Sequence, residues 1–230
     1  MLHHMEGIDY LTYPHTPDYH KPALIIFHGY GAHCHNLYPL IHQIDAEVQW
    51  YFPNGLYPAV MGEPDTRTWF PIKAEHMQHL MEHREQATYG QLEPPGFSNS
   101  LSQMQHFISH LLTQHASALL AGFSQGAMIL PHLAAQIPQI KGMLLFSTNL
   151  MHKKGLEQHA AKTALQDMPF LQSHGQEDHI LSFTQAERDF AYLRDQWGCS
   201  GTFTRFTGGH EIPAVVCHHA TEFIKNRILH

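Results

Sequence analysis

The chain has 230 residues, of which 43% are hydrophobic, and it carries a formal net charge of −7 with its 23 histidines neutral. This length suits one globular domain, and the apolar content is too high for a disordered chain. The acidic balance argues against nucleic acid as a partner, since lysines and arginines form no cluster. No apolar run is long enough for stable membrane insertion and no secretory signal is apparent, so we expect a cytoplasmic protein.

The predicted elements alternate between strands and helices along the chain. Short apolar segments predict strands at Ile8–Tyr13, Ala23–Phe27, Gln49–Phe52, Ala118–Gly122, Gly142–Phe146, Phe170–His174 and Thr202–Phe206. Helices are predicted at Leu37–Ile44, Asn99–His115, Gln125–Gln136, Phe183–Gln196 and Pro213–Ile228. This alternation predicts an α/β fold in which a mostly parallel central sheet carries helices on both faces. We expect residues 1–230 to form a single domain without a large lid.

One long excursion, from Leu56 to Ser98, interrupts this alternation. It is rich in proline and has a polar middle, Ala74–Gln86, that is capable of forming a helix. A long insertion between strands is commonly either a binding loop or an ornament of the fold. We expect this one to form the wall of a substrate groove.

A nucleophile is predicted where the strand Ala118–Gly122 meets the following helix. The sequence GFSQG, at Gly122–Gly126, fits the G-x-S-x-G pattern, in which small outer residues permit a sharp turn with serine at its apex. An ordinary glycine-rich turn is the alternative interpretation. The strand before and the helix after favour Ser124 as a catalytic nucleophile.

A serine nucleophile needs a base, and the base needs an acidic group to orient it. In sites of this kind the acid and then the histidine follow the serine along the chain. Asp178 lies in a loop just past a predicted strand, with Glu177 as its nearest rival. His210 follows the last predicted strand through a glycine pair, whereas the other late histidines fall near the acid, inside the last helix or at the terminus. We therefore predict Ser124, Asp178 and His210 as a catalytic triad.

Two backbone N–H groups are predicted to bind the oxyanion of the tetrahedral intermediate. One belongs to Gln125, the residue after the nucleophile, and the other is expected from a loop after an early strand. The sequence FHGYGA at Phe27–Ala32 is such a loop, and we nominate the N–H of Tyr30. A plain glycine-rich turn is again the alternative.

Cysteine and histidine patterns predict no metal and no cofactor. Cys34, Cys199 and Cys217 are widely spaced and form no CxxC pair, so we expect reduced, mostly buried thiols. Two histidine groups have some potential as ligand sets: His76, His79 and His83 share one face of a possible helix, and His28, His33, Cys34 and His35 cluster in a loop. Neither has HExxH or CxxC spacing, so chance in a histidine-rich chain is the favoured explanation.

The motifs together resemble the phospholipase/carboxylesterase family of small α/β-hydrolases, which includes acyl-protein thioesterases. The matching segments are FHGYGA at Phe27–Ala32, RTWFPI at Arg67–Ile72, GFSQGA at Gly122–Ala127, HGQED at His174–Asp178 and GGHEIP at Gly208–Pro213. The resemblance implies an α/β-hydrolase fold, the triad Ser124, Asp178 and His210, and oxyanion amides at Tyr30 and Gln125. It also implies that Trp69 and Phe70 lie near an acyl-binding groove, with core packing as the alternative for both.

The expected function is hydrolysis of carboxylic esters or thioesters through an acyl-enzyme at Ser124. An acyltransferase with the same triad and a catalytically inactive binding module are the alternatives. Departures from the family pattern at Ala32, Pro71 and Thr148 leave the triad unchanged but leave the substrate open. The expected partners are small-molecule or lipid acyl substrates, or an acylated protein, and the sequence is compatible with a homodimer.

Overall fold

The computed structural model describes residues 1–63, 65–72, 89–161 and 163–228. The predicted helix-capable segment Ala74–Gln86, with His76, His79 and His83, therefore lies outside the described residues.

The described strands are β1 His3–Met5, β2 Ile8–Tyr13, β3 Ala23–Phe27, β4 Gln49–Pro53, β5 Tyr57–Pro58, β6 Arg67–Thr68, β7 Ala118–Phe123, β8 Ile140–Phe146, β9 Pro169–Gly175 and β10 Ser200–Phe206. Eight of them form the central sheet, in the order β1-β2-β4-β3-β7-β8-β9-β10. Strands β1 and β2 pair antiparallel, as do β2 and β4, and the remaining neighbours in this sheet are all parallel. Strands β5 and β6 form a separate antiparallel hairpin.

Helices cover both faces of the sheet. The described α-helices are α1 Phe97–Leu111, α2 Gln125–Met128, α3 Leu130–Ala134, α4 Lys153–His159, α5 Phe183–Trp197 and α6 Ala214–Ile228, and short 3-10 helices occur at Tyr38–His42 and Tyr89–Gln91. In the described part of the chain, none of these helices combines the length and apolar character that a membrane span requires.

The core is divided by the sheet into two apolar clusters. Alternate residues of β3 point to opposite faces, so that Ile25 and Phe27 belong to one cluster while Leu24 and Ile26 belong to the other. Helices α1, α3 and α5 contribute to the first cluster and α6 to the second. Strand β3 is buried along its whole length, as is typical of a parallel strand covered on both sides. The predicted α/β fold with a mostly parallel sheet is thus confirmed.

Several predicted boundaries differ from the observed ones. The helix expected at Gln125–Gln136 is divided into α2 and α3 at Ile129, two residues before Pro131, which has no N–H to continue the helical hydrogen bonds. The helix expected at Leu37–Ile44 is a 3-10 helix that contains a proline. Strand β1, the hairpin β5–β6 and α4 were not predicted, because each is too short to show a clear period.

The parallel strands bring four functional loops to one edge of the sheet. Phe27 at the end of β3 pairs with Gly122 of β7, and Phe206 at the end of β10 pairs with Gly175 of β9. The loops that follow these four strands therefore leave the sheet at its carboxyl edge, where the ligand sites of α/β folds lie.

The three cysteines are free and buried, as the sequence predicted. Burial raises the pKa of Cys34 to about 11 and that of Cys199 to about 12, and it also raises the pKa of Cys217. All three thiols therefore stay protonated near neutral pH in the folded chain.

His28 is a buried structural histidine at the end of β3. Its Nδ1 lies 2.8 Å from the carbonyl oxygen of Gly29, and its Nε2 accepts a hydrogen bond from the N–H of Gly55 at 2.9 Å. The first contact requires a proton on Nδ1 and the second a free lone pair on Nε2, so the ring is held as one neutral tautomer. Burial lowers the pKa of His28 to about 4.

We expect this buried imidazole to make folding sensitive to mild acid. Below the ordinary histidine pKa of about 6.5, His28 is protonated in the unfolded chain but stays neutral in the folded one. The free energy of unfolding therefore falls by about 1.4 kcal/mol per pH unit, or on the order of 3 kcal/mol by pH 4. Urea unfolding of wild type and His28→Gln between pH 7 and 4.5 measures this effect. Glutamine can still accept from Gly55 but does not titrate, so its curve should fall less steeply. Equal slopes would contradict the assignment.

Candidate active site

Ser124 occupies a strained turn between β7 and α2. Its φ of 54° and ψ of −122° lie in a region that non-glycine residues rarely adopt. The N–H of Ser124 donates to the carbonyl of Phe146 at 2.9 Å, and the Thr148 hydroxyl donates to the carbonyl of Ser124 at 2.9 Å. These bonds from the neighbouring strand and its following loop hold the serine in the strained conformation.

The two glycines around Ser124 are required by close packing. A Cβ at Gly122 would lie 2.7 Å from the backbone nitrogen of Ala127. A Cβ at Gly126 would lie 2.4 Å from the carbonyl oxygens of both Phe27 and His28. Any side chain at either position would push α2 away from the sheet, and with it the turn that carries Ser124.

Asp178 and His210 are in direct contact. His210 Nδ1 lies 2.7 Å from Asp178 Oδ2, and because a carboxylate only accepts, the proton is on Nδ1. His210 Nε2 is thereby left as the basic nitrogen of the ring. The rival acid, Glu177, is exposed, whereas Asp178 is buried.

Both oxygens of the Asp178 carboxylate are engaged. The backbone N–H groups of Ile180 and Leu181 donate to Oδ1 at 2.8 and 2.9 Å. Burial by itself would raise the pKa of Asp178, but hydrogen bonds from His174 and His210, together with attraction to His210, outweigh it and hold the pKa well below its usual range. The carboxylate therefore stays charged beside His210.

His174 is a second histidine on this carboxylate, and its contact was not among the predicted ones. Its Nε2 lies 3.2 Å from Asp178 Oδ2 and 3.3 Å from the carbonyl of Leu181. Both neighbours are acceptors, so Nε2 carries the hydrogen. The ring is fully buried, and its Nδ1 has no hydrogen-bond partner among the described residues. A signal was available in the sequence, since His174 begins the HGQED segment.

Tyr30 and Gln125 line the same cavity as Ser124. The turn that carries Tyr30 is fixed by the β6 strand: the N–H of Gly31 donates to the carbonyl of Arg67, and the N–H of Arg67 donates to the carbonyl of Ala32, both at 2.9 Å. Within the described part of the chain, neither the N–H of Tyr30 nor that of Gln125 has a hydrogen-bond partner. Two unpaired donors next to a serine suit the binding of a developing oxyanion.

The side chain of Gln125 joins the turn that carries Ser124 to residues 68–70. Its Oε1 accepts from the Thr68 hydroxyl at 2.8 Å and from the N–H of Trp69 at 3.1 Å, and its Nε2 donates to the carbonyl of Phe70 at 2.8 Å. The amide side chain, to which the sequence analysis assigned no role, thus makes three buried hydrogen bonds.

Trp69 and Phe70 are not among the described residues that line the cavity, and they pack in the core. Both side chains are fully buried. The indole N–H of Trp69 donates to the carbonyl of His28 at 2.7 Å, and the Phe70 ring packs against Phe97 with centroids 5.3 Å apart. Hydrogen bonds from Gln125 hold the backbone of this segment, and both aromatic side chains pack in the core.

The cavity at this edge has a volume of about 550 Å³. Aliphatic and aromatic side chains dominate its wall, and no lysine, arginine or carboxylate is among the described residues that line it. These residues are Gly29, Tyr30, Ala32, Asn36, Leu37, Ile72, Tyr89, Phe123, Ser124, Gln125, Met128, Ile180, Leu181 and His210.

Ser124 and His210 both line this cavity. Among the described residues, their side chains form no direct hydrogen bond with each other. The His210 ring packs on Phe123, with centroids 4.7 Å apart, and the loop behind it is tied down by the Ser147 hydroxyl, which donates to the carbonyl of Glu211 at 2.9 Å. In free enzymes the hydrogen bonds of catalysis are often long and tighten when substrate binds.

Comparison with known proteins identifies the family. The sequence matches the model of the family described as phospholipase/carboxylesterase over residues 14–228. No curated protein gave a significant match to the sequence.

Solved structures with the same fold include several esterases. Esterase PE8 is 23% identical, with a TM-score of 0.72, and the match covers 90% of this chain and 93% of that one. A Bacillus cereus carboxylesterase is 18% identical with a TM-score of 0.72, over 96% and 94% of the two chains. A Zea mays acyl-protein thioesterase 2 is 14% identical with a TM-score of 0.73, over 95% and 98%.

At these identities the solved structures establish the α/β-hydrolase fold, while the family model matches nearly the whole chain. The carboxyl edge of the sheet carries the serine turn, the Asp178–His210 pair and the residues with the unpaired amides. The chain belongs to the phospholipase/carboxylesterase family.

Proposed function

We propose that this protein is a serine hydrolase that cleaves carboxylic ester or thioester bonds of uncharged acyl groups. The observation that carries the proposal is the shared cavity of Ser124 and His210, in which His210 is oriented by the 2.7 Å contact with Asp178. A nucleophile, a base and an orienting acid are the three groups that acyl transfer through serine requires. Family membership supports the same class of reaction.

In the first half of the reaction Ser124 Oγ attacks the acyl carbonyl carbon while His210 Nε2 takes the hydroxyl proton. The carbonyl oxygen becomes an oxyanion, which the N–H groups of Tyr30 and Gln125 stabilise. Asp178 stabilises the imidazolium cation and keeps Nε2 facing the reaction. When the tetrahedral intermediate collapses, the proton passes from His210 to the leaving alcohol or thiol, and the acyl group stays on Ser124.

In the second half water replaces the leaving group. His210 takes a proton from the water as it attacks the acyl-enzyme, and a second oxyanion forms at the same two amides. Collapse then releases the carboxylic acid and returns the proton to Ser124. No further reactant is needed to balance either half.

The lining of the cavity supports an apolar acyl group as substrate. Its volume of about 550 Å³ lies within the range of small-molecule sites, and its described wall offers no cation that could hold a carboxylate or phosphate on the acyl chain. Each buried methylene is worth about 0.8 kcal/mol, so binding should improve along the chain until the cavity is full.

We expect a fluorophosphonate probe to label the wild type and not Ser124→Ala. The probe's phosphorus is attacked by the activated hydroxyl and loses fluoride, so labelling reports the nucleophile directly. Gel fluorescence after labelling measures it, and Ser102→Ala, an exposed serine on α1, is the matched control that should label normally. Label retained by Ser124→Ala would contradict the assignment, and an unlabelled wild type would favour an inactive binding module.

We expect the value of kcat/KM for aryl esters to rise by up to about fourfold per methylene from acetyl to hexanoyl, which follows from about 0.8 kcal/mol per buried methylene. Leu37 is a partly exposed residue of the cavity wall, and Leu37→Trp replaces its side chain with a larger, aromatic one. This variant should have a lower ratio of kcat/KM for octanoyl esters to kcat/KM for butyryl esters than the wild type. Steady-state hydrolysis of a C2–C12 ester series measures both effects.

The matched control for this series is Leu92→Trp, which adds the same ring at an exposed leucine outside the cavity wall. A chain-length profile that is flat from C2 to C8, or equal in Leu37→Trp and Leu92→Trp, would count against this cavity as the acyl site.

We expect His174→Leu to lower kcat by about tenfold, or about 1.4 kcal/mol in the barrier, because Asp178 Oδ2 then loses a donor and holds His210 less accurately. The value of KM should change little, since His174 does not line the cavity. His174→Gln, whose side-chain amide can donate from a similar position, should restore most of the rate. Kinetics normalised to fluorophosphonate-active enzyme separates this effect from loss of folded protein.

A purely structural role for His174 would give a different pattern. His115→Leu is the matched control, because it removes a buried, hydrogen-bonded imidazole just before β7, at the opposite edge of the sheet. It should lower stability without lowering kcat. If His174→Leu behaves like His115→Leu, with an unchanged kcat and pH profile of activity, His174 is not a positioning residue.

A further inference from the structure

The tripeptide His33-Cys34-His35 forms a compact group of metal-ligating side chains directly after the Tyr30 loop. One ligand atom from each residue lies within 4.8 Å of the other two. In the part of the chain that the structure describes, no other group of three or more histidine, cysteine and acidic residues meets this criterion.

The backbone of this tripeptide is held in place from both sides. The N–H of His33 donates to Asn36 Oδ1 at 2.8 Å, and the N–H of Cys34 donates to Asn54 Oδ1 at 2.7 Å. The N–H of Asn36 returns a hydrogen bond to the carbonyl of His33 at 3.0 Å. A ligand set on a fixed backbone loses less conformational freedom when it closes around an ion.

The three side chains converge near the surface. Cys34 Sγ lies 3.5 Å from His35 Nδ1, and the rings of His33 and His35 are 5.3 Å apart. His33 Nδ1 accepts a hydrogen bond from the N–H of His35 at 3.3 Å, which leaves its Nε2 available. Cys34 is buried while His35 is exposed, so the sulfur lies behind an imidazole that an ion can reach from solvent.

We propose that His33, Cys34 and His35 bind a zinc-class divalent ion through two imidazole nitrogens and one thiolate, with a fourth position open to water. On binding, the Cys34 thiol gives its proton to the solvent and its sulfur bonds to the metal. Imidazole and thiolate ligands suit Zn²⁺ and exclude Ca²⁺ and Mg²⁺, which take oxygen ligands.

The geometry requires only small side-chain movements. Tetrahedral zinc with bonds of about 2.0–2.3 Å places its ligand atoms roughly 3.3–3.7 Å apart. The Cys34–His35 pair already lies at 3.5 Å, and the largest separation of 4.8 Å closes by rotation of the more exposed imidazoles. His28, the fourth member of the sequence cluster, does not take part, because both its nitrogens are bonded to backbone groups.

The sequence predicted no metal here because the residues lack the spacings of known motifs. The structure changes that interpretation by bringing three consecutive side chains together. The site also borders the cavity, since Ala32 and Asn36 on either side of the tripeptide line it.

Cobalt binding tests the proposal, because a Co²⁺–thiolate bond gives a near-ultraviolet charge-transfer band that histidine sites elsewhere on the chain cannot produce. We expect Co²⁺ titration of the full chain to produce this band and Zn²⁺ to abolish it by competition. Cys34→Ser should lack the band, whereas Cys217→Ser, at another buried free cysteine, should retain it.

His35→Gln provides a test that folding cannot confound, since this side chain is exposed. It should weaken Co²⁺ binding by at least about tenfold, a loss typical even of residues that only support a metal ligand. His218→Gln, at an exposed histidine of α6, is the matched control and should bind normally. No band in the wild type, a band that persists in Cys34→Ser, or equal affinity in His35→Gln and wild type would overturn the proposal.

Discussion

Contact between helix α2 and the end of strand β3 is the constraint on which the site depends. Position 126 sits so close to the carbonyls of Phe27 and His28 that only glycine fits. Because the helix starts this close to the sheet, the chain must turn within one residue, and Ser124 takes up a φ of 54°. Gln125 and Tyr30 line the same cavity, and the N–H of neither has a hydrogen-bond partner in the described part of the chain.

Gln125 extends this constraint to the segment that includes β6 and the residues after it. Its buried amide makes three hydrogen bonds with the Thr68–Phe70 segment, so the serine turn and this segment are joined into one unit. A buried amide left unpaired would cost free energy, so these bonds favour keeping the two segments together. Trp69 and Phe70 therefore shape the cavity by packing beneath it, and its wall is built by Ile72, Met128 and other apolar side chains.

Charge at the site is concentrated on one carboxylate. Asp178 accepts two backbone hydrogen bonds on Oδ1 and two imidazole contacts on Oδ2, so both of its oxygens are engaged. A carboxylate so fully bonded stays ionised although it is buried. The rest of the described cavity wall is almost free of charge, so the proposed chemistry takes place in an apolar setting, where fixed dipoles act most strongly.

The fold class and the chemical character of the site could be predicted from the sequence because both are local patterns. Buried parallel strands appear as short apolar runs, and the serine turn requires glycines at fixed offsets from Ser124. The resemblance to the phospholipase/carboxylesterase family rests on the same segments, and the family model confirms it.

Tertiary structure alone decided three other matters. It placed His174 on Asp178, it packed Trp69 and Phe70 into the core, and it set the distances among the side chains of His33, Cys34 and His35, which the sequence already places in one loop. These facts depend on the direction in which a side chain points and on what the rest of the chain packs against it. The physical reason is that periodicity along a chain specifies which face of an element is buried, but distances between side chains are set only when the elements pack.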